Sequence, residues 1–482
     1  MPDPPACSDG MRKPGHIEQY FNVYSRIGFC GWVVVAGRYE TPSGAPLGVG
    51  DKATLFAALE QVVRCHAALH SRLPPPSEPQ DWRRLSSIDL NELVQFLDKD
   101  GSGLRASMEG LFARDMDFPE DKPRWKVIVL CDGTIVFVWD HAIGDGQSGL
   151  AFHHALLSAL NRICFDPPPE HSGVITNLPP DVALPPSLED AAGRQMSVPF
   201  PMVVRVLAEE YLPFIFARKH AAAWTGNPVP TTIIPATHVR ILHYSPSETS
   251  ELLRVSREHN TTLTGTLHTL ALVVLARLIR ALPDGDGTKY QTIASFLPIS
   301  MRRHTRAPPT AICVHVSHYE GHHAMFPPDI DLDRFPWDAA AAFTGTLKRA
   351  AARAGPITAM MKYLFGRYEE YFRGHLGKKR GAGLAISNLG AFPEPSTAEV
   401  GEDEREGWDA PQARWRIREM TFAQADATLG AALKLNVVGS PDGGLGVTVT
   451  WGTSAVHGDL AEAFVAALDD GLRVLVASAQ AP

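Results

Sequence analysis

One short segment concentrates the residue types that chemistry needs: His141-Ala142-Ile143-Gly144-Asp145-Gly146, directly after the apolar run 134–139 (TIVFVW). An imidazole ionises at about pH 6.5, so it can take a proton from a hydroxyl and return it to a leaving group near neutrality. A histidine at the end of a buried strand is held by rigid sheet at the mouth of a cleft. Asp145 is placed to fold back and orient the loop, and Gly144 and Gly146 are expected to supply backbone geometry that other residues resist. This chemistry fits general-base attack of an alcohol on a thioester carbonyl, with no covalent acyl-enzyme. Taken alone, the segment is also consistent with a plain strand-to-helix turn carrying an exposed histidine.

Two other clusters compete for a role. Lys378, Lys379 and Arg380 form a basic group suited either to phosphates or to a solvated turn. The stretch 315–323 (HVSHYEGHH) is rich in histidine but lacks the HExxH arrangement of a helical zinc site, and no metal centre is expected there.

The elements that must position His141 follow a mixed α/β order. Residues 29–36 (FCGWVVVA) predict a buried strand. Residues 51–71 predict a helix with Leu55, Phe56, Leu59, Val62, Val63 and His66 on one stripe, which makes His66 a packed residue. The runs 124–131 and 134–139 flank Asp132-Gly133 and predict an antiparallel hairpin leading into a helix over 148–162. Further along, the spacing predicts a strand after His238, a helix capped by Ser245 or Ser247, and a long helix over 262–279. Strands are expected at 290–297, 311–318, 382–387, 431–438 and 445–451, and a closing helix from Gly458 to Ser478.

A chain of 482 residues exceeds what one core usually organises, so two lobes are expected: 1–190, then a proline-rich crossover and apolar segment over 191–237, then 238–482. Residues 202–217 (MVVRVLAEEYLPFIFA) read as a kinked packing helix or as a surface touching membrane, too short and charged to span one. The net charge of −8 gives no footprint for nucleic acid. Residues 1–15 lack the apolar core of a signal peptide, and Cys7, Cys30, Cys65, Cys131, Cys164 and Cys313 form no CxxC pair, so a reducing cytosolic location is expected.

The HAIGDG segment matches the HxxxDG motif of the superfamily that contains chloramphenicol acetyltransferase, plant acyl-CoA acyltransferases and peptide-synthetase condensation domains. Helix 51–71, the segment 256–278 (SREHNTTLTGTLHTLALVVLARL), PISMRR at 298–303 and SNLG at 387–390 resemble other parts of that fold. With the opening YFNVYSRIG and the closing GGLGVTVTW, the chain resembles the fungal alcohol acetyltransferase family over nearly its whole length. The resemblance implies two chloramphenicol-acetyltransferase-like lobes with a channel between them, and donor and acceptor entering from opposite faces. It makes His141 the catalytic base, Asp145 a structural residue paired with Arg302, Gly146 the adjoining tight turn, and Ser387 and Asn388 lining residues. It further implies acetyl-CoA as co-substrate with no bound cofactor, an alcohol acceptor, and a monomer in the cytosol or peripheral at a membrane or lipid droplet. Plant relatives carry a late DFGWG motif, where this chain has only Thr450-Trp451-Gly452, so CoA contacts cannot be carried over from it. Transfer from a carrier-bound thioester or to an amine, and a non-catalytic membrane-associated binding role, are the alternatives.

Overall fold

A computed structural model describes residues 11–480 except 30, 46, 49–50, 76–77, 79–80, 98–102, 115–118, 120, 164–170, 205–220, 394–413 and 426–427. Its first half runs α1 (His16–Arg26), β1 (Trp32–Glu40), α2 (Lys52–Cys65), β2 (Val94–Phe96), α3 (Leu104–Phe112), β3 (Trp125–Val129), β4 (Thr134–Asp140) and α4 (Gly146–Ile163). After the crossover come β5 (Thr237–Tyr244), α5 (Pro246–Glu258), α6 (Leu263–Arg280), β6 (Thr292–Ser300), β7 (Val316–Ala324), α7 (Trp337–Ala351) and α8 (Tyr368–Arg373). The chain closes with β8 (Leu384–Asn388), β9 (Arg416–Gln424), β10 (Leu433–Gly439), β11 (Leu445–Gly452) and α9 (Gly458–Gln480).

Local chemistry explains the boundaries. The β3–β4 hairpin turns at Gly133, whose φ of 82° is open to glycine at little cost, while the Asp132 carboxylate accepts from the Thr134 N–H at 3.0 Å. Helix α5 starts in a capping box: the Ser245 hydroxyl accepts from the Glu248 N–H, and the Glu248 carboxylate accepts from the Ser245 N–H at 2.8 Å. Thr262 caps α6 by accepting from the Gly265 N–H at 3.2 Å. Helix α6 is long and apolar enough to cross a membrane, yet 72% of its apolar window is buried inside the protein, as expected of a core helix.

The strands form two mixed sheets, in the order β9-β1-β4-β3-β2 and β5-β11-β10-β8-β6-β7. Helices α2 and α4 cover one face of the first sheet through Leu59, Val63 and Phe152 against Val33, Val35 and Phe137. Its other face, carrying Trp32, Val34, Val138 and Ala423, meets Val239 of β5 and Met108 and Phe112 of α3. Helices α6 and α9 bury Leu267, Leu270, Phe464 and Leu468 against Leu435, Val437, Val447 and Val449 of the second sheet. The mixed α/β fold class is as expected.

Several expectations change in detail. The helix expected over 51–71 stops at Cys65, because His66 takes an extended conformation, and a 3-10 turn spans Ala67–His70. His66 is still a packed residue, and burial pushes its imidazole down to about 4. The strand expected at 311–318 begins only at Val316, since the backbone at Cys313 and His315 bonds to Ser148 and Asp145 rather than to a strand. Strand β9 was not anticipated, and although it follows residue 238 it pairs antiparallel with β1 in the first sheet. Residues 205–217 of the expected apolar segment lie outside the described residues.

Helix α4 lies so close to β1 and β4 that a methyl group at Gly149 would sit 2.4 Å from Val35 Cγ2 and 2.5 Å from Trp139 Cη2. Gly149→Ala is therefore expected to overpack the first lobe and lower stability by about 1–3 kcal/mol, read as a shift in the chemical-denaturation midpoint. An unchanged midpoint would mean that this contact yields freely.

Candidate active site at the junction of the two sheets

Strand β4 ends in Asp140, a fully buried carboxylate that pairs with Arg124. It also accepts from the Ser25 hydroxyl at 2.9 Å and from the Ala142 N–H at 2.9 Å. The His141 N–H donates to the Gly31 carbonyl at 3.1 Å. These bonds clamp the backbone on both sides of His141, so its imidazole stands on a rigid ledge. The ring stacks on Phe21 of α1, with centroids 3.8 Å apart and planes 6° from parallel. Nδ1 is buried and has no partner on another residue; its own backbone carbonyl is the group that faces it. Burial is the main cause that lowers the pKa of His141, and the positive charge of Lys434 adds to it. Its own carbonyl, Asp145 and Asp140 act in the opposite direction, and the net shift is downward. The imidazole is therefore neutral at pH 7, the form that a base requires.

Four residues on, Asp145 caps α4: its Oδ1 accepts from the Ser148 N–H at 3.1 Å and the Ser148 hydroxyl at 3.1 Å. Arg302, just past the end of β6, donates to the same oxygen at 2.8 Å. It also donates to the Ala311 and Pro308 carbonyls at 2.9 and 3.1 Å. Asp145 Oδ2 accepts from the His315 N–H at 3.2 Å, and the Asp145 N–H donates to the Cys313 carbonyl at 2.9 Å. Burial opposes ionisation of Asp145, but the Arg302 charge and the hydrogen bonds outweigh it and hold the carboxyl below the usual carboxylate range. His315 has both ring nitrogens engaged, with Thr305 and the Pro186 carbonyl.

Gly144 and Gly146 do not have the role expected of them, because neither has a positive φ. What both positions require is space. A Cβ at 144 would lie 2.8 Å from Ser148 Cβ, and one at 146 would lie 2.5 Å from Leu389 Cδ2. The latter approach brings the SNLG segment of β8 against the start of α4. Nearby, the Ser300 hydroxyl donates to Gln147 Oε1 at 2.8 Å, so the ends of β6 and β8 both meet the loop that carries His141.

Of the other expected site residues, Ser387 is buried on β8 beside Asn436 of β10. The Asn388 side chain is committed elsewhere, donating to Thr264 Oγ1 at 3.0 Å and accepting from the Gly390 N–H at 2.9 Å. The basic cluster divides. Arg380 is buried and donates to the Gly430 and Thr428 carbonyls at 2.6 and 2.9 Å, so it holds loops together and is not presented to a phosphate. Lys379 donates to the Ala223 carbonyl at 2.6 Å, and Lys378 is exposed.

Five residues near this junction were given no role from the sequence. One is Phe21. The others, Lys434, Asn436, Thr448 and Thr450, share one face of β10 and β11, in register as Lys434 opposite Thr450 and Asn436 opposite Thr448. Asn436 Nδ2 donates to Thr450 Oγ1 at 3.1 Å, while Asn436 Oδ1 and Thr448 Oγ1 are buried without a partner. Unpartnered polar atoms inside a protein are costly. The readable signal is alternation: Leu433, Leu435 and Val437 enter the core, and the polar residues between them point to the opposite face.

Asp145→Asn removes one partner of a buried ion pair and strands the Arg302 charge. The expected loss is about 3–5 kcal/mol of unfolding free energy, measured by denaturant titration near neutral pH. The wild-type carboxyl has a depressed folded pKa, so its contribution is present above the unfolded carboxylate value and is lost as pH falls through the folded one. The gap between wild type and variant should accordingly narrow in acid, and a gap that did not depend on pH would disprove the ionised pair.

Residues 13–471 match the alcohol acetyltransferase family. Among sequence relatives, "Probable alcohol acetyltransferase crmB" of Aspergillus fumigatus is 24% identical over 475 residues, covering 92% of this chain and 95% of its own. "Probable alcohol acetyltransferase FCK4" of Fusarium pseudograminearum is 25% identical over 407 residues, covering 78% and 77%. Among solved structures, TRI3 trichothecene 15-O-acetyltransferase from Fusarium sporotrichioides superposes with a TM-score of 0.67 at 11% identity, covering 96% of this chain and 95% of that one. A family match spanning nearly the whole length, on a fold shared with a solved acetyltransferase, makes this chain an acyltransferase that belongs to the alcohol acetyltransferase family.

Proposed function

We propose that this enzyme transfers an acetyl group from acetyl-CoA to a hydrophobic alcohol, with His141 as general base. The observation that carries the reading is a neutral imidazole on a clamped backbone, with Nδ1 turned into the protein so that Nε2 is the nitrogen left for an acceptor. The acceptor hydroxyl gives its proton to Nε2 as its oxygen attacks the thioester carbonyl, forming the new C–O bond. Collapse of the tetrahedral adduct breaks the C–S bond, and the departing thiolate recovers the proton from the imidazolium. Asp145 and Arg302 take no part in proton transfer; they position the loop. Exposed free thiols at Cys65 and Cys131 suit a reducing cytosol, where the enzyme acts as a monomer.

His141→Ala is expected to lower turnover by about two to four orders of magnitude with folding intact, measured as acceptor-dependent release of CoA thiol from acetyl-CoA across a panel of alcohols and amines. Normal turnover in the variant would end the base assignment, and release only with amines would replace the alcohol. Lys434→Met removes a positive charge that disfavours the imidazolium, so the pKa of His141 should rise. The acid limb of the kcat/KM profile should then move to higher pH. No movement, or movement to lower pH, would take Lys434 out of the electrostatics of the site.

A further inference from the structure

One face of the second sheet turns toward the first lobe. Leu389, just past β8, and Val438 of β10 belong to the core of the first lobe, while Leu433, Leu435 and Val437 pack into that of the second. Leu389 lies against the start of α4, since a Cβ at Gly146 would come within 2.5 Å of its Cδ2. Two residues back along the two strands stand Ser387 and Asn436, paired in parallel register, and Asn436 is opposite Thr448 of β11. Two further back on β10 is Lys434, half-buried, whose charge lowers the pKa of His141. Side chains alternate along a strand, so Lys434, Asn436 and Val438 share one face. The row formed by Ser387, Asn436 and Thr448 therefore lies between a residue that acts on His141 and one that touches Gly146.

All three residues of the row are buried, Asn436 and Thr448 completely. The Asn436 amide N–H groups donate to the Thr448 carbonyl at 3.3 Å and to Thr450 Oγ1 at 3.1 Å. These bonds fix the amide with Oδ1 as an acceptor that has no partner, and Thr448 Oγ1 has none either. Cross-strand neighbours hold their Cβ atoms about 4.5–5.5 Å apart, so one small group between the two side chains reaches both. That group has to donate to Asn436 Oδ1, and it can accept from the Thr448 hydroxyl. An alcohol O–H does both through a single oxygen. A planar trans amide points its N–H and C=O in opposite directions, so an amide of CoA does not satisfy both atoms from one wall.

We propose that Asn436 and Thr448 bind a second hydroxyl of the acceptor, which makes the substrate a diol. One hydroxyl gives its proton to His141 and is acetylated; the other is held on this wall and stays free in the product. The substrate class rests on the acyl-transfer reading, whereas the hydroxyl subsite rests on the geometry of β10 and β11. The pair sets specificity, because an acceptor without the second hydroxyl leaves both buried atoms unpaired in the complex.

The test compares kcat/KM, read as release of CoA thiol, for octanol, for octanediols with the second hydroxyl at successive carbons, and for their monomethyl ethers. At least one diol should exceed octanol by about tenfold, the scale of one buried hydrogen bond, and its ether, which cannot donate to Asn436, should fall back toward octanol. Thr448→Val and Asn436→Leu should each cut the diol-to-octanol ratio about tenfold, while Thr448→Ser should keep it. The denaturation midpoint of Thr448→Val should not fall, since the hydroxyl removed has no partner in the protein. Calorimetric binding of the same diols without acetyl-CoA should follow the same order. An enzyme that released no thiol with any acceptor would thus refute acyl transfer to alcohols, with the subsite still decided by binding. Equal values for octanol and every diol, a ratio that neither substitution changes, or a loss confined to the KM for acetyl-CoA would overturn the proposal, the last by assigning the pair to the donor.

Discussion

The geometry of the site depends on one ion pair between the two halves of the chain. Asp145 lies at the start of α4 in the first lobe, and Arg302 lies past β6 in the second; both are buried. Burying either charge alone would be prohibitive, so the two lobes are held in the one relative placement in which carboxylate and guanidinium satisfy each other. The carboxylate gains further support from the amino end of α4, where unpaired N–H groups and the helix dipole favour negative charge. Ser148, Cys313 and His315 then complete the bonding of the pair, which turns a single contact into a fixed joint.

That joint determines where His141 can stand. The loop from Asp140 to Gly146 is anchored at one end by the Asp140–Arg124 pair and at the other by the Asp145–Arg302 pair, five residues apart along the chain. Within it the Trp139 indole N–H donates to the Gly144 carbonyl at 2.9 Å, removing the remaining freedom. Phe21 fixes the imidazole plane from a third element, while burial of the site and the charge of Lys434 lower the pKa of the ring.

What could be read from the chain beforehand follows from this arrangement. The strand, His141 and Asp145 lie within a dozen residues and so share one local pattern, whereas Arg302, 157 residues further on, was legible only through the resemblance of PISMRR to a family motif. Lys434, Asn436, Thr448 and Thr450 stayed hidden because alternation of polar and apolar residues looks the same whether the polar face meets water or a second sheet. Arg380 misled for the converse reason: three adjacent cations look solvated, yet one of them was needed inside to bind loop carbonyls. Strand β9 was missed because its partner, β1, lies hundreds of residues earlier, and no local signal reports a pairing at that distance.

That pairing has a bearing on how the protein is made. β1 needs residues 416–424 to complete its hydrogen bonding, and those residues are synthesised hundreds of positions after it. Until then the first sheet has an open edge along Val33, Val34 and Val35, a stretch with every attribute of an aggregation template. The nascent first lobe thus stays an unfinished object until β9 has been made. A chain cut short before β9 would keep the His141 loop in its sequence and lose the strand that seals the sheet behind it.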